Sequence, residues 1–198
     1  MSLASWSLLT LQDAKDHLSV TGNEMDAVVE GLVESASLMC EEYVDRQLMT
    51  RTYSAEIYDG QGGLALKLRQ FPITSVTSVE FLTGGPPDEW TTQSLTTYGS
   101  YVLQPVYESI AFRNLWFPRG SQNVRVTYVA GYSTTTLPRA IKDACRIAVK
   151  ALWDVRDKQN AGIASQSNMG GQTVVYDKAA LPKMWAVLLD PYARWAWV

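Results

Sequence analysis

Residues 52–82 read TYSAEIYDGQGGLALKLRQFPITSVTSVEFL, and the period of this stretch decides how the chain is built. Tyr53, Ala55 and Ile57 alternate with Ser54, Glu56 and Tyr58, the two-residue period of a strand. Asp59-Gly60-Gln61-Gly62-Gly63 reads as a turn, since glycine takes positive φ without steric cost. Leu64, Leu66 and Leu68 then alternate with Ala65, Lys67 and Arg69 to give a return strand. Phe71-Pro72 breaks it, and Ile73, Val76, Val79 and Phe81 mark a further extended segment rich in β-favouring Thr and Ser.

Helical patterns flank this β-block. Thr10 has the character of an N-cap, with Asp13 in the capping-box position. A short helix should follow and end near Val20, before Gly22. Asn23 is the expected cap of the next helix. In it Met25, Val28, Val29, Leu32, Val33, Ala36, Cys40, Tyr43 and Val44 recur at steps of three and four, to about Arg46. Past the β-block, short strands are expected near Trp90–Thr92, Tyr101–Leu103 and Ser109–Phe112, and a long one over Asn123–Ala130. Leu137-Pro138 opens a third helix, with Ile141, Ala144, Cys145, Ala148, Val149, Leu152 and Trp153 on one stripe. Residues 159–172 are rich in Gly, Ser, Asn and Gln and read as a mobile linker. Thr173–Tyr176 reads as extended and Ala180–Leu189 as a last short helix.

The expected fold is α+β: a mainly α-helical body of long amphipathic helices with an inserted antiparallel β-subdomain. Residues 1–49 form an N-terminal helical hairpin, 50–132 the inserted β-subdomain, and 133–198 the C-terminal helices and tail, which pack with 1–49 as one body. The helices at 24–46 and 138–157 must meet, because each has an apolar stripe that the hairpin alone could not cover.

Composition excludes several function classes. The chain has 198 residues, 46% hydrophobic and 19% charged, enough for a core that buries roughly 70% of the unfolded surface. Seventeen basic and 20 acidic residues give a formal net charge of −3 with no lysine or arginine run, so a nucleic-acid footprint is missing. The longest apolar runs are too short to span a membrane. The start, MSLASWSLLTL, lacks the basic segment and apolar core of a signal peptide, which points to a cytoplasm. Cys40 and Cys145 lie far apart without metal-ligand spacing and read as buried thiols, although spacing alone leaves a disulfide between them open.

No catalytic, cofactor-binding or metal-binding residues are assigned. The single histidine, His17, has no nucleophile placed beside it and reads as a surface or capping residue. The glycines after Asp59 lead into a strand, whereas a phosphate loop leads into a helix. No pair of carboxylates is singled out by spacing. Aromatic residues carry the functional signal instead, because Trp and Tyr mark protein interfaces. The candidate interface residues are Trp116 and Phe117, read as exposed on the loop NLWFPRGS, and Tyr192, Trp195 and Trp197 in the tail PYARWAWV.

Four segments together resemble a known family. They are LLTLQDAKDHL with EGLVESASLMCEEYVDRQL, then RTYSAEIYDGQGGLALKLRQFPITSVTSVEF, then VTYVAGYSTTTLPRAIKDACRIAVKALW. In this order they resemble the tailed-phage head–tail connector (adaptor, or head-completion) proteins of the long, gp6-like kind. The resemblance covers about half of the chain; residues 84–123 and the last thirty lie outside it. It implies a structural, non-enzymatic protein without cofactors. It implies a ring, usually of twelve subunits, beneath the portal protein, which extends the DNA channel and offers a platform to the next tail-completion (stopper or tail terminator) protein. DNA would pass without sequence-specific binding and no membrane would be involved. The location implied is the head–tail interface of a virion, phage or prophage, made in a host bacterial cytoplasm. The alternative from the residues alone is a tail or baseplate binding module, recognising carbohydrate or protein through the β-subdomain and aromatics such as Trp90 and Trp116.

Overall fold

The computed structural model describes residues 3–84, 89–93, 101–104, 108–113, 115–157, 165–167, 173–175 and 181–193. In chain order the elements are α1 (Leu11–Leu18), α2 (Asp26–Val44), β1 (Arg51–Gln61), β2 (Ala65–Lys67), β3 (Ile73–Leu82), β4 (Trp90–Thr92), β5 (Tyr101–Gln104), β6 (Ser109–Phe112), β7 (Arg119–Ala130), α3 (Arg139–Asp157), β8 (Ser165–Ser167), β9 (Thr173–Val175) and α4 (Lys183–Leu189). A short 3-10 helix, Asp190–Tyr192, follows α4. The chain divides into two compact units: Met1–Asp45 with Leu137–Val198, and Arg46–Thr136.

The first unit is helical. Thr10 caps α1: its Oγ1 accepts the Asp13 N–H at 3.1 Å, and its hydroxyl donates to Asp13 Oδ2 at 2.7 Å. The helix stops at Ser19, which takes the left-handed conformation (φ 57°), three residues before the expected glycine. Lys15 explains the tight connection that follows. It is buried, and its ammonium bonds the Gly22 carbonyl and Asp26 Oδ1, both at 2.6 Å, holding the end of α1 to the start of α2. Asp26 therefore opens α2; Met25 is its N-cap residue, in place of the Asn23 expected from sequence.

Val29, Val33, Ala36, Cys40 and Val44 are the buried stripe of α2, and Ile141, Ala144, Cys145, Ala148 and Val149 that of α3. The two helices pack on each other, and α4 packs on both. Ser37 adjusts to this apolar seam by donating to the Val33 carbonyl at 2.7 Å and accepting the Leu8 N–H at 3.1 Å. Both cysteines are buried and free. The hydrogen bond that the Cys145 thiol gives to Cys40, then burial, push the Cys145 thiol up and keep it protonated. Trp185 fixes α4 by an edge contact to Tyr43 (centroids 4.8 Å apart), while the Tyr43 hydroxyl donates to Asp190 Oδ1 at 2.6 Å. β8, inside the segment read as a linker, pairs antiparallel with β9, in the segment read as extended.

The second unit consists of two β-sheets. One is four-stranded and antiparallel, in the order β1-β7-β3-β4; the other has the order β2-β6-β5. Tyr58, Leu66, Leu68, Val76, Val79, Phe81, Ile110, Phe112, Phe117, Val124, Val126, Tyr128 and Ala130 form one core drawn from both. At the base of this unit the Thr50 N–H donates to the Tyr132 carbonyl at 2.9 Å, and the Tyr132 N–H to Leu48 O at 2.8 Å. Gly131 sits there at φ 111°, where an added Cβ would lie 2.5 Å from the Met49 carbonyl oxygen. Arg46 is buried beside it, its guanidinium 3.8 Å from the Phe71 ring centroid.

This corrects the expected fold class. The protein is α+β but is not mainly a body of long helices, since among the described residues the strands carry as much chain as the α-helices. The physical reason is that the β-block has a full core of its own between two sheets, in which β1 pairs with β7 and the return strand β2 with β6 instead of with β1. Strand lengths differ accordingly: β1 runs to Gln61, so the turn read at Asp59–Gly63 is confined to residues 62–64, and β7 begins at Arg119.

Candidate interaction surfaces

A β-bulge places the most connected polar group of the second unit. The β1–β7 register shifts between Tyr53 and Glu56, with Ala55 at φ 54°. The inserted residue reverses the faces of β1, so Glu56 and Tyr58 turn inward and Ile57 is left 41% exposed. Glu56 Oε2 accepts the hydroxyls of Tyr128, at 2.6 Å, and Tyr58, while Oε1 accepts Arg69 Nη1 at 3.0 Å. The Tyr58 and Tyr128 hydroxyls are 3.0 Å apart. Burial pushes the Glu56 carboxyl up, but the hydrogen bonds from Tyr128, Tyr58 and Arg69 outweigh it and leave the pKa below its ordinary value. Burial, then the contact with Glu56, push both tyrosines up. A carboxylate with its oxygens so engaged braces β1, β7 and Arg69.

The loop before β7 separates the two aromatics that the sequence reading grouped together. Phe117 is 1% exposed, packed 5.8 Å from Phe81 and 5.4 Å from Phe112, so its expected exposure does not hold. Trp116 is 64% exposed. The signal was present: Leu115 and Phe117 alternate with Trp116 and Pro118, which puts Trp116 and Phe117 on opposite faces. The loop is pinned on both sides. The Phe117 N–H donates to the Gly63 carbonyl at 2.8 Å. The Pro118 carbonyl accepts Asn123 Nδ2 at 3.2 Å, and a Cβ on Gly60 would lie 1.8 Å from that same oxygen. Asn123 in turn accepts the Gly60 N–H at 2.8 Å. Leu64, 41% exposed, is tied to β6 by the Phe112 N–H, which donates to its carbonyl at 3.0 Å.

The remaining candidates lie elsewhere. Tyr192 is half-buried in the 3-10 helix after α4. Trp195 and Trp197 lie outside the described residues. Met184 and Val187 on α4 are each 60% exposed, on the side opposite buried Trp185 and Leu189, and the sequence reading passed over them. Trp90 is not a bare sugar platform, because the Arg125 guanidinium covers it at 4.5 Å and is itself paired with Glu80. His17 borders an open depression with Asp13, Asp16, Asp143, Arg146 and Ile147, where Arg146 pairs with Asp143 at 2.7 Å and Asp13 at 3.6 Å. Among the described residues no His, Cys, Asp and Glu group is arranged to hold a metal, and no helix is long and apolar enough to cross a membrane.

A family model described as head completion protein matches residues 7–195, nearly the whole chain. The chain belongs to the head completion protein family. Solved structures with the same fold accompany that match. One is the neck of an empty GTA particle computed with C6 symmetry, at a TM-score of 0.64 and 16% identity, covering 98% of this chain and 94% of that one. A second is the neck of a native GTA particle computed with C12 symmetry, at 0.64 and 15%, covering 98% and 92%. A third is the virion of a native gene transfer agent particle, at 0.56 and 16%, covering 98% and 92%. No curated protein matches the sequence. For a head completion protein, surfaces that meet other subunits are where function resides. Among the described residues the exposed large apolar side chains are Ile57, Leu64 and Trp116 on the second unit and Met25, Leu38, Val155, Met184 and Val187 on the first.

Proposed function

We propose that this chain is a structural subunit of a head–tail connector: it assembles as a ring beneath the portal protein, extends the DNA channel, and presents a platform to the next tail-completion protein. The observation that carries this reading is the family match over residues 7–195. The fold it shares with necks computed with C6 and C12 symmetry supports a ring, with twelve subunits as the proposed number. The location proposed is the head–tail interface of a virion. The role is structural rather than catalytic, and the best-connected titratable cluster, at Glu56, is engaged within the fold. DNA contact is sequence-independent, in keeping with a net charge of −3. Family membership favours this reading over a tail or baseplate module.

The tail residues Tyr192, Trp195 and Trp197 are proposed to dock on the portal. Deleting residues 192–198 should abolish capture by a cognate portal ring in a pull-down while the circular dichroism spectrum is retained. Capture at the level of the full chain would contradict the tail's role.

A further inference from the structure

We propose that Cys40 and Cys145 are a latent redox staple: transfer of the chain from a reducing to an oxidising setting joins them in an intrachain disulfide that locks α2 to α3. The two side chains come from helices that pack on each other within the first unit. Both are 0% exposed and both are free. Ser37, one turn before Cys40 on α2, has its Oγ 3.8 Å from Cys145 Sγ, which sets Cys145 against that turn. The Cys145 thiol completes the contact by its hydrogen bond to Cys40. A single buried cysteine packs as a small hydrophobe. Two whose sulfurs already meet satisfy the condition that most pairs fail, that their side chains point together.

The place of the pair in the chain gives the bridge its consequence. The chain leaves the first unit at Asp45, just past Cys40, and re-enters it at Leu137, just before Cys145. The bridge joins the two passages that carry the second unit and closes a loop of roughly 100 residues, a length at which a cross-link restricts the unfolded chain strongly. Stapled, α2 and α3 cannot part, while the second unit keeps its separate core. Disulfides persist at virion surfaces, whereas a cytoplasm keeps thiols reduced. The setting rests on the virion location proposed above: the subunit folds and assembles with free thiols and is stapled after release.

The oxidant is a low-molecular-weight disulfide of the class of oxidised glutathione. One cysteine gives up its proton, and its sulfur attacks the small disulfide, forming a mixed disulfide and releasing one small thiolate. The other cysteine gives up its proton, and its sulfur attacks the protein sulfur of that mixed disulfide, forming the Cys40–Cys145 bond and releasing the second small thiolate. The two protons end on the two released thiols, so two protein thiols are oxidised as one small disulfide is reduced. Burial and the raised pKa of Cys145 withhold its reactive thiolate while the seam is closed. Exchange therefore proceeds through local openings of α2 from α3. The bond, once made, removes the opening that admitted it.

The test takes the full-length chain purified under reductant and transfers it to oxidised glutathione at neutral pH without denaturant. Remaining thiols are then blocked with a maleimide in denaturant, and the peptides are mapped without reduction. The expected result is a Cys40–Cys145 peptide, with both free thiols lost together. The oxidised chain should melt about 5 °C or more above the reduced one, and a phosphine reductant should reverse the shift. Cys40→Ala and Cys145→Ala should show no shift; the wild-type comparison stands whether or not either variant folds. Thiols that stay free after prolonged exposure, a stable glutathione adduct on either cysteine in place of the bridge, or a bridge that forms only in denaturant overturns the staple. A bridge that leaves the melting temperature unchanged overturns the lock. A bridge made in the purified chain but absent from released particles, read by the same blocking and mapping, overturns the setting. None of these outcomes bears on portal binding, so the connector reading stands or falls separately.

Discussion

Replacing Glu56 with Gln keeps the shape of the side chain, removes its charge and turns one acceptor oxygen into a donor, so it probes the group that braces the second unit. Glu56 accepts from Tyr128 at 2.6 Å, from Tyr58, and from Arg69 at 3.0 Å. Net contributions of hydrogen bonds to a charged acceptor are about 1.5–3 kcal/mol each. The Arg69 side chain is 49% exposed, which reduces its ion pair to under about 1 kcal/mol. The amide oxygen of Gln still accepts one hydroxyl, while its NH2 group points a donor at a second donor. The expected loss is therefore about 2–3 kcal/mol at neutral pH. Its pH dependence has a definite sign. The folded pKa of Glu56 lies below its ordinary 4.5, so the stabilisation is present above that value and is lost as pH falls through the depressed one. Hydrogen exchange of amides in residues 51–61 and 119–130 reads the unit that contains Glu56. The difference between wild type and Glu56→Gln should be full at pH 7 and shrink below pH 4.5. A difference under about 0.5 kcal/mol at pH 7, smaller than one net hydrogen bond, would refute the reasoning, as would one that stays constant into acid.

Three further substitutions test the packing. Phe117→Ala should cost about 3–5 kcal/mol in urea denaturation, whereas Trp116→Ala next to it should stay within about 0.5 kcal/mol, because one ring fills the core and the other projects from it. Gly131→Ala should destabilise the second unit by about 2–3 kcal/mol, since φ 111° and the Met49 carbonyl leave no room for a methyl group; protection of amides 48–53 reads this directly. The buried indole N–H of Trp185 has no acceptor among the described residues. Trp185→Phe should therefore cost less than about 1 kcal/mol in thermal melts, and Trp185→Ala about 3 kcal/mol or more.

The helices were legible because their information is periodic. The buried apolar positions of α2 and α3 lie on stripes that spacing alone identifies, while buried Ser37 and Glu41 fall outside them, and the Thr10 cap is local chemistry. Long β7 was legible for the same reason over residues 123–130. What escaped depended on tertiary context. A single bulge at Ala55 turns Glu56 inward and Ile57 outward, and nothing in the local sequence marks it. Lys15 carries no sign in sequence of its buried bonds to Gly22 and Asp26, so the start of α2 was set too early. The weight of the β-block was underestimated although β2, β5 and β6 were each expected as strands, because spacing does not show that they pair with one another into the second sheet of a separate core. At the candidate surface, hydrophobicity found the loop, but only the alternation of Leu115 and Phe117 against Trp116 sorts anchor from core. The α4 patch was missed because Met184 and Val187 look like core residues on a helix whose buried side is set by Tyr43.

The central claim is that this head completion protein works as a ring on the portal. The measurement that tests it most directly is electron microscopy of the full-length chain mixed with the portal ring of its own particle, read for stoichiometry and symmetry. The account predicts a closed ring of this chain stacked coaxially on the portal with an open central channel. Portal rings that remain bare while the chain stays free in solution would contradict it.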